Sequence, residues 1–397
     1  MLVKNHNFAF MKFPKNLSEK LETRKQNSAL RQLPSSISNI DFASNDYLGF
    51  AKSTTIFNQT HQFLINNNCL ENGATGSRLL SGNHPLYAIA ENHIAQFHQT
   101  ESALIFNSGY DANVGFFSSV PQKGDFILYD ELCHASIRDG VRLSHAKPFK
   151  FRHNDFENLE QLLIKTQPTT HNPQPTTIYI VTESVFSMDG DAPYLIELVN
   201  LADKYNAHLV IDEAHALGAF GNQGEGLVQS MQLQNKIFAR IVTFGKGLGC
   251  HGAAVLGSDQ LKNYLVNFAR SFVYTTGLPP HSIATILIAY KQLEVQEEAR
   301  NQLRANINFF NQQKLQLGLK PLFVQSKSAI QSAIIPGNEK VKTIAAKLQQ
   351  NGFDVKPILS PTVPEGQERL RFCLHSFNSE QQISDVLELL RTFMFEK

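Results

Sequence analysis

The chain has 397 residues, of which 42% are hydrophobic and 18% are charged. A chain of this length divides into more than one core, and this composition is typical of a globular protein. The net charge of +1 argues against binding to nucleic acid or to an anionic membrane surface. No apolar run approaches the ~20 residues of a membrane span, and the N-terminus lacks a signal-peptide core, so we expect a cytoplasmic protein.

The four cysteines are widely separated, at positions 69, 133, 250 and 373. None lies in a CxxC motif or in a Cys/His spacing suited to a metal ion, so the sequence predicts no metal site. An even number of cysteines is no sign of disulfides in so long a chain, and we expect a reducing compartment.

Strand and helix patterns alternate along the first two thirds of the chain. Apolar side chains recur at helical spacing in residues 16–33, 86–98, 109–120, 155–165 and 193–206. Short apolar or β-branched runs predict strands over residues 40–50, 102–107, 125–130, 176–183, 208–212 and 239–244. This order predicts an α/β fold with a mostly parallel central sheet flanked by helices.

The pattern changes after Pro279 and Pro280. Long helices are predicted over residues 281–315, followed by short strands and by helices over 340–350 and 379–395. We therefore predict a large domain over residues 46–285 and a smaller α+β domain over 286–397. The N-terminal segment, residues 1–45, is expected to pack with the small domain.

Polar side chains cluster at the ends of the predicted strands. In open α/β sheets, ligands bind outside the carboxyl ends of the strands. Five candidate functional residues lie at or just beyond these ends: Ser108, Glu183, Asp212, His215 and Lys246. Their convergence is stronger support for a site than any one of them.

Lys246 lies between two glycines in residues 243–247 (TFGKG), after the hydroxyl of Thr243. A lone lysine in a loop is usually a solvated charge. Asp212, however, ends an apolar strand upstream, and a buried carboxylate of this kind can hold a pyridine nitrogen protonated. We predict that Lys246 forms a Schiff base with pyridoxal 5′-phosphate (PLP) and that Asp212 binds the ring nitrogen. Taken alone, Asp212 could equally cap a helix.

Three further side chains could contact the cofactor ring. His215 is either a core histidine or a hydrogen-bond partner of the phenolic oxygen. His134, which follows strand 125–130, is a core or surface histidine, or else it stacks on the ring and acts as acid or base. Glu183 and Ser187 lie on the loop after strand 176–183, before a turn over residues 188–193 that leads into a helix and could alone explain them, and Ser187 could approach the phenolic oxygen.

The segment Ser108, Gly109 and Tyr110 opens a helix after a buried strand. It is either a plain β–α turn or a phosphate site, because free N–H groups at a helix N-terminus bind anions. Thr243 and Thr275 could add hydroxyl groups to such a site.

Arginines are the candidates for binding a substrate carboxylate. Arg371 alternates with apolar neighbours in residues 369–372 (RLRF), as in a strand with one buried face. It could also be a surface arginine, and only one of Arg369 and Arg371 needs to point inward. Arg31 and Arg78 are further candidates for substrate contacts.

These residues lie in stretches that resemble the α-oxoamine synthase family of fold-type I PLP enzymes. The resemblance runs from about residue 20 to the C-terminus. It is carried by DFASNDYLGF, GATGSRLLSGNH, IFNSGYDANVGFFS, HASIRDG, TESVFSMDGD, VIDEAHALGAFG, VTFGKGLGCHGAAV, YTTGLPP and RLRFCLHS. Motifs of this length are too specific for chance similarity.

The resemblance implies a role for each candidate. It implies that Lys246 is the Schiff-base lysine, Asp212 the ring-nitrogen partner and His134 the stacking histidine, with His215 and Ser187 at the phenolic oxygen. On the phosphate side it implies Gly109, Tyr110, Thr243 and, from the other subunit of a homodimer with shared active sites, Thr275. It implies that Arg371 binds the substrate carboxylate and that Asn45 and Arg31 face the substrate.

Members of the family condense an amino acid with an acyl thioester, either acyl-CoA or acyl-ACP, and release carbon dioxide and the thiol. The chain is most similar to members that join L-alanine to a pimeloyl thioester, through residues 274–280 (YTTGLPP) and the SMDGD and TFGKGLG segments. A member that uses glycine or serine is the main alternative. An aminotransferase or a catalytically inactive scaffold would be different classes of protein.

Overall fold

The computed structural model describes residues 12–31, 33, 39–167 and 176–395. Much of the predicted N-terminal segment lies outside these ranges. The described strands are β1 (Ile40–Asp41), β2 (Ser102–Phe106), β3 (Phe126–Asp130), β4 (Lys147–Phe151), β5 (Ile178–Glu183), β6 (His208–Asp212), β7 (Ala239–Thr243), β8 (Ala253–Gly257), β9 (Ile330–Ile334), β10 (Phe353–Asp354), β11 (Lys356–Ile358) and β12 (Arg369–Cys373).

The helices fill the connections between these strands. They are α1 (Lys15–Gln26), α2 (Thr54–Asn66), α3 (Leu86–Phe97), α4 (Gly109–Ser119), α5 (Ala135–Leu143), α6 (Phe156–Thr166), α7 (Leu195–Lys204), α8 (Leu227–Ser230), α9 (Asp259–Phe268), α10 (Arg270–Val273), α11 (Pro280–Val295), α12 (Glu297–Gln316), α13 (Asn338–Gln350) and α14 (Glu380–Phe395). Short 3₁₀ turns cover Phe50–Lys52, Gln234–Lys236 and Lys320–Leu322.

A seven-stranded sheet dominates the fold, in the order β2-β8-β7-β6-β5-β3-β4. All pairings are parallel except those of β8, which runs antiparallel to both of its neighbours. Strands β5 and β7 are buried at every position, because helices cover both faces of the sheet. The predicted α/β fold with a mostly parallel, helix-flanked sheet is confirmed.

The apolar side chains of alternate strand residues enter cores on opposite faces of the sheet. Val210 and Ile241 pack with Phe116 of α4 on one face. Val242 lies on the other face, in a core that includes Tyr290 of α11. The carboxyl ends of β5, β6 and β7 emerge between these two cores, which fixes the position of the residues that follow them.

The C-terminal region contains a separate antiparallel sheet in the order β11-β12-β9. The N-terminal segment contacts this region: β1 and β10 form a separate parallel pair, and the Cys373 N–H of β12 donates to the Phe42 carbonyl at 2.8 Å. The predicted boundary at residues 285/286 falls inside α11. The division into a large domain, a small domain and an N-terminal segment therefore stays a prediction.

Most predicted elements have the expected place. Strands β4 and β8 and helices α2, α5, α8, α9 and α10 were not predicted, and the helix expected over residues 16–33 ends at Gln26. None of the helices in the described ranges combines the length and the hydropathy that crossing a bilayer requires.

Candidate active site

Lys246 lies in the loop between β7 and β8. The Phe244 N–H donates to the Gly252 carbonyl at 2.9 Å, and the Gly249 N–H donates to the Lys246 carbonyl at 2.8 Å, so the loop folds back on itself. The Lys246 amine lies 2.8 Å from Nε2 of His215. Removal of the amine from water lowers the pKa of Lys246 to about 8, although the nearby Asp212 carboxylate acts in the opposite direction.

Asp212 ends β6 with a buried carboxylate. Its Oδ1 accepts a hydrogen bond from the Ala214 N–H at 2.9 Å, and its Oδ2 accepts one from Nδ2 of Asn113 at 2.8 Å. In the sheet register Asp212 is paired with Glu183, the last residue of β5. Burial, and then repulsion from Asp212, raise the pKa of Glu183 to about 8.

His134 is held by a short chain of hydrogen bonds. Its backbone N–H donates to Oε1 of Glu183 at 2.6 Å. Its ring Nδ1 accepts from the Ser136 N–H at 3.2 Å and lies 2.7 Å from Oγ of Ser136. Because a backbone N–H can only donate, Nδ1 is an acceptor and the hydrogen of the neutral ring lies on Nε2. Burial lowers the pKa of His134, which favours this neutral form.

Asn113 connects this histidine to the carboxylate of Asp212. Its amide nitrogen is 2.8 Å from Oδ2 of Asp212 and 3.0 Å from Oγ of Ser136. The two amide hydrogens can therefore serve both partners at once. Asn113 and Ser136 were not among the predicted site residues.

His215 contacts Lys246 on one side and a tyrosine on the other. Its Nδ1 lies 2.6 Å from the hydroxyl of Tyr47, another residue that was not predicted. Burial, reinforced by the charge of Lys246, holds the pKa of His215 well below its usual range. The ring is therefore neutral and carries a single N–H.

The first turn of α4 lies beside Thr243. Ser108 caps the helix, and its Oγ accepts from the Asp111 N–H at 3.0 Å. A Cβ on Gly109 would lie 2.4 Å from Cγ2 of Thr243, so only glycine fits between the two elements. The Thr243 hydroxyl is buried and has no hydrogen-bond partner within the described ranges. The N–H groups of Gly109 and Tyr110 have no acceptor inside the helix, as in any first helical turn.

Arg371 of β12 reaches the same region from the C-terminal sheet. Its Nε donates to the Ser187 carbonyl at 2.7 Å, and its Nη2 donates to Oδ1 of Asn45 at 2.9 Å. Arg369 is also buried and pairs with Asp189. Both arginines therefore point inward from one face of β12, whereas the sequence analysis required this of only one.

One cavity, of about 260 Å³, gathers most of the predicted residues. Its charged and polar wall includes Asn45, His134, Glu183, Asp212 and Lys246. At the other end it is lined by Ser108, Gly109, Tyr110 and Thr243. The unpredicted residues in its lining include Asn113, Ser136 and His251.

Other predicted residues contact the rest of the protein instead. Oγ1 of Thr275 accepts from Asn107 at 3.2 Å, and Arg31 donates to Thr362 at 3.0 Å. Arg78 pairs with Glu91 at 2.6 Å. None of these predicted residues is in the cavity lining, so a substrate or phosphate contact by any of them stays a prediction.

The residues in the cavity fit PLP. An enclosed amine and a buried carboxylate suit its aldehyde and its ring nitrogen. A buried hydroxyl without a partner and the first turn of a helix suit its phosphate. Within the described ranges, no group of three or more His, Cys, Asp or Glu side chains is placed to bind a metal ion.

Comparisons with known proteins identify the family of the chain. Residues 37–390 match the family model "Aminotransferase class I and II". The chain is 39% identical to the 8-amino-7-oxononanoate synthase of Emericella nidulans, over 96% of this chain and 95% of that protein.

Two solved structures have the same fold. A serine palmitoyltransferase variant from S. paucimobilis, with a PLP–myriocin aldimine bound, has a TM-score of 0.85 and 25% identity over 96% of both chains. The 8-amino-7-oxononanoate synthase of Francisella tularensis has a TM-score of 0.75 and 30% identity over 89% of this chain and 97% of that chain. The chain therefore belongs to the class I and II aminotransferase family and, within it, to the α-oxoamine synthases, which are acyltransferases that use PLP.

Proposed function

We propose that the protein joins L-alanine to a pimeloyl thioester and forms 8-amino-7-oxononanoate, carbon dioxide and the free thiol, a step in biotin biosynthesis. The observation that carries this proposal is that the Lys246 amine and the Asp212 carboxylate line one cavity. The 39% identity to a protein of that name supports the choice of substrates.

Different residues of the cavity would bind different parts of the cofactor. Lys246 would hold its aldehyde carbon, Asp212 its ring nitrogen, and Gly109 and Thr243 its phosphate. When bound, PLP supplies an electron sink for the pair that is left on the substrate α-carbon. Asp212 supports this chemistry, because a carboxylate next to the ring nitrogen keeps a proton on that nitrogen.

Proton transfer falls to Lys246 and His134. An amine whose pKa is about 8 has a much larger neutral fraction near pH 7 than an ordinary lysine, so Lys246 can take the α-proton of the substrate. Nε2 of His134 carries a hydrogen that Ser136 cannot accept, because Ser136 contacts Nδ1. His134 can therefore donate to the oxygen of the thioester carbonyl during the condensation.

Arg371 is the proposed partner of the amino-acid carboxylate. Its guanidinium uses Nε for the Ser187 carbonyl and Nη2 for Asn45, which fixes the plane of the group. Neither partner is charged, so the positive charge remains available to a carboxylate. Asn45, which lines the cavity, connects this arginine to the cofactor region.

A second candidate substrate pair is serine with a long acyl thioester. It is favoured by the TM-score of 0.85 with a serine palmitoyltransferase, compared with 0.75 for an 8-amino-7-oxononanoate synthase. The two reactions use the same catalytic steps. They differ in the amino acid and in the length of the acyl chain.

The test is thiol release measured with alanine, glycine and serine, each combined with acetyl, pimeloyl and palmitoyl thioesters of coenzyme A and of acyl carrier protein. We expect alanine with a pimeloyl thioester to give the highest kcat/KM. Carbon dioxide release measured in parallel excludes thioester hydrolysis as the source of thiol. Faster reaction of serine with the palmitoyl thioester would replace the first proposal by the second, and no thiol release from any pair would refute both.

We also propose that the enzyme is a homodimer. Leu80 is 86% exposed and Tyr274 is 74% exposed, and their loops are joined by a hydrogen bond of 2.9 Å from the Gly277 N–H to the Gly76 carbonyl. Large exposed apolar side chains on two joined loops favour a covering protein surface. Leu80→Lys should reduce the mass found by sedimentation to that of one chain, whereas Ile164→Lys on the exposed side of α6 should not. The predicted cytoplasmic location stays a prediction.

A further inference from the structure

Tyr47 lies behind the histidine that contacts Lys246. It is fully buried, and its hydroxyl is 2.6 Å from Nδ1 of His215. Nε2 of the same ring is 2.8 Å from the Lys246 amine. A continuous chain of hydrogen-bonding groups therefore leads from the phenol through the imidazole to the amine.

The direction of these hydrogen bonds depends on which acceptor takes the phenolic hydrogen of Tyr47. Its other acceptor in the neighbourhood, Oδ1 of Asn45, is 3.5 Å away and already accepts from Arg371. The Arg371 guanidinium also lies beside the phenol and can only donate to it. The phenolic hydrogen is therefore best placed on the short contact to Nδ1 of His215.

We infer that Tyr47 is a positioning residue that keeps the hydrogen of His215 on Nε2, so that the imidazole can donate to Lys246 and favours the neutral form of its amine. An ammonium group would have to donate to Nε2 itself. The imidazole hydrogen would then move to Nδ1, and the phenolic hydrogen would be left with only the distant Asn45. The inference bears on catalysis only if Lys246 carries the cofactor, as proposed above.

The charged groups around Lys246 act in both directions. Asp212 and Glu183 favour the ammonium form, whereas Arg371 and burial oppose it. The two carboxylates alone would therefore keep the amine charged. The hydrogen bond from Nε2 of His215 can be accepted only by the neutral amine of Lys246. It therefore acts with Arg371 and burial against the ammonium form.

The first measurement is the tautomer of His215 in the cofactor-free enzyme, by solid-state ¹⁵N NMR of protein labelled with [¹⁵N]histidine. The His215 signals are assigned by their loss in His215→Gln. We expect a protonated Nε2 and an unprotonated Nδ1 in the unmodified protein. A protonated Nδ1 would overturn the inference, and this result does not depend on which substrates the enzyme uses.

The second measurement is the pKa of Lys246, from the pH dependence of its labelling by an amine reagent in cofactor-free protein. In Tyr47→Phe we expect this pKa to rise by about one unit, which makes the neutral amine at pH 7 roughly tenfold scarcer. Tyr290→Phe is the matched control, since it removes another buried hydroxyl, 3.0 Å from Nε2 of His98, outside the cavity. An unchanged Lys246 pKa in folded Tyr47→Phe, or an equal rise in Tyr290→Phe, would overturn the inference.

Discussion

Asp212 and Glu213 are neighbours in the chain, but they lie in different environments on the two sides of the sheet. Asp212 lines the cavity and is bonded to an amide and a backbone N–H. Glu213 is fully buried on the opposite side, where its Oε2 accepts from Arg240 at 2.8 Å and its Oε1 accepts from the Val228 N–H at 2.9 Å. Arg240 completes its own hydrogen bonds with His98 and with the Glu225 carbonyl.

The difference between the two sides separates a structural cluster from a functional one. Around Glu213 the opposite charges meet directly, and the buried groups satisfy one another. Around Asp212 the carboxylates and the amine line open space. The pKa of Glu183 is raised and that of Lys246 is lowered, and the Thr243 hydroxyl has no partner in the described part of the chain. Groups left in this state are those that a ligand completes.

The largest expected effect is that of Lys246→Ala, which removes the amine from the functional cluster. Thiol release should fall by at least about 10³-fold, because a positioned base and the attachment of the cofactor are lost together. The visible absorption of lysine-bound PLP should disappear. Lys236→Ala, which breaks an exposed pair with Asp203, should leave both readouts within about twofold. An unchanged spectrum in Lys246→Ala would contradict the assignment.

The sharpest test of the comparison is the pair Asp212→Asn and Glu213→Gln. Asp212→Asn should lower kcat/KM by about 10²–10³-fold, because an amide cannot keep the ring nitrogen protonated. It should cost about 1–3 kcal/mol of the free energy of unfolding, since the single amide oxygen can accept from only one of the Ala214 N–H and the Asn113 amide. Glu213→Gln leaves Arg240 buried without its carboxylate and should cost about 3–5 kcal/mol.

Urea unfolding and steady-state kinetics measure the two quantities on the same preparations. The folded fraction of Glu213→Gln should keep its kcat/KM. The comparison fails if both variants lose mainly stability, or if both lose mainly activity.

Arg371 and Arg369 extend the same test to β12. Arg371→Met should raise the KM for the amino acid by about 10- to 100-fold, because charge-assisted hydrogen bonds to a carboxylate contribute about 1.5–3 kcal/mol. Arg369→Met should instead lower the free energy of unfolding, because it leaves Asp189 unpaired. Equal rises of KM in both variants would show that the assignment of the substrate arginine is wrong.

A further expected effect is a pH dependence of stability from Glu183. Its pKa is raised from 4.5 to about 8 in the folded protein, so the folded state binds its proton more tightly than the unfolded state. The free energy of unfolding contributed by this group therefore decreases as the pH rises from about 5 to 8, by at most about 1.4 kcal/mol per pH unit. Glu183→Gln should flatten this slope in urea titrations of cofactor-free protein. An unchanged slope in Glu183→Gln would show that a group other than Glu183 causes the pH dependence.

The parts of the site that could be predicted are those that end strands. Asp212 and Lys246 each follow a continuous apolar run, and strand ends of a parallel sheet converge whatever the details of packing. The strands themselves were predictable where both faces are buried, as in β5. Strand β4 was missed because only Phe151 is buried in it, so its sequence lacks an apolar pattern.

The missed residues owe their roles to contacts that sequence patterns do not encode. Asn113 lies in the middle of α4, where a polar residue usually indicates the solvent side. Ser136 lies in the first turn of α5, where serine is common for local reasons. Tyr47 contacts a residue 168 positions further along the chain. Its partner could be found only from the packed structure.

The antiparallel direction of β8 has a consequence for how the enzyme can vary. Lys246 lies in a turn between two strands that are hydrogen-bonded to each other. Asp212, in contrast, ends a strand that is parallel to both of its neighbours. Inserting or deleting one residue between Thr243 and Ala253 would force a new register or a different turn, and would carry the amine away from its partners. We therefore expect this connection to keep a fixed length among functional relatives, while surface connections elsewhere lengthen and shorten freely.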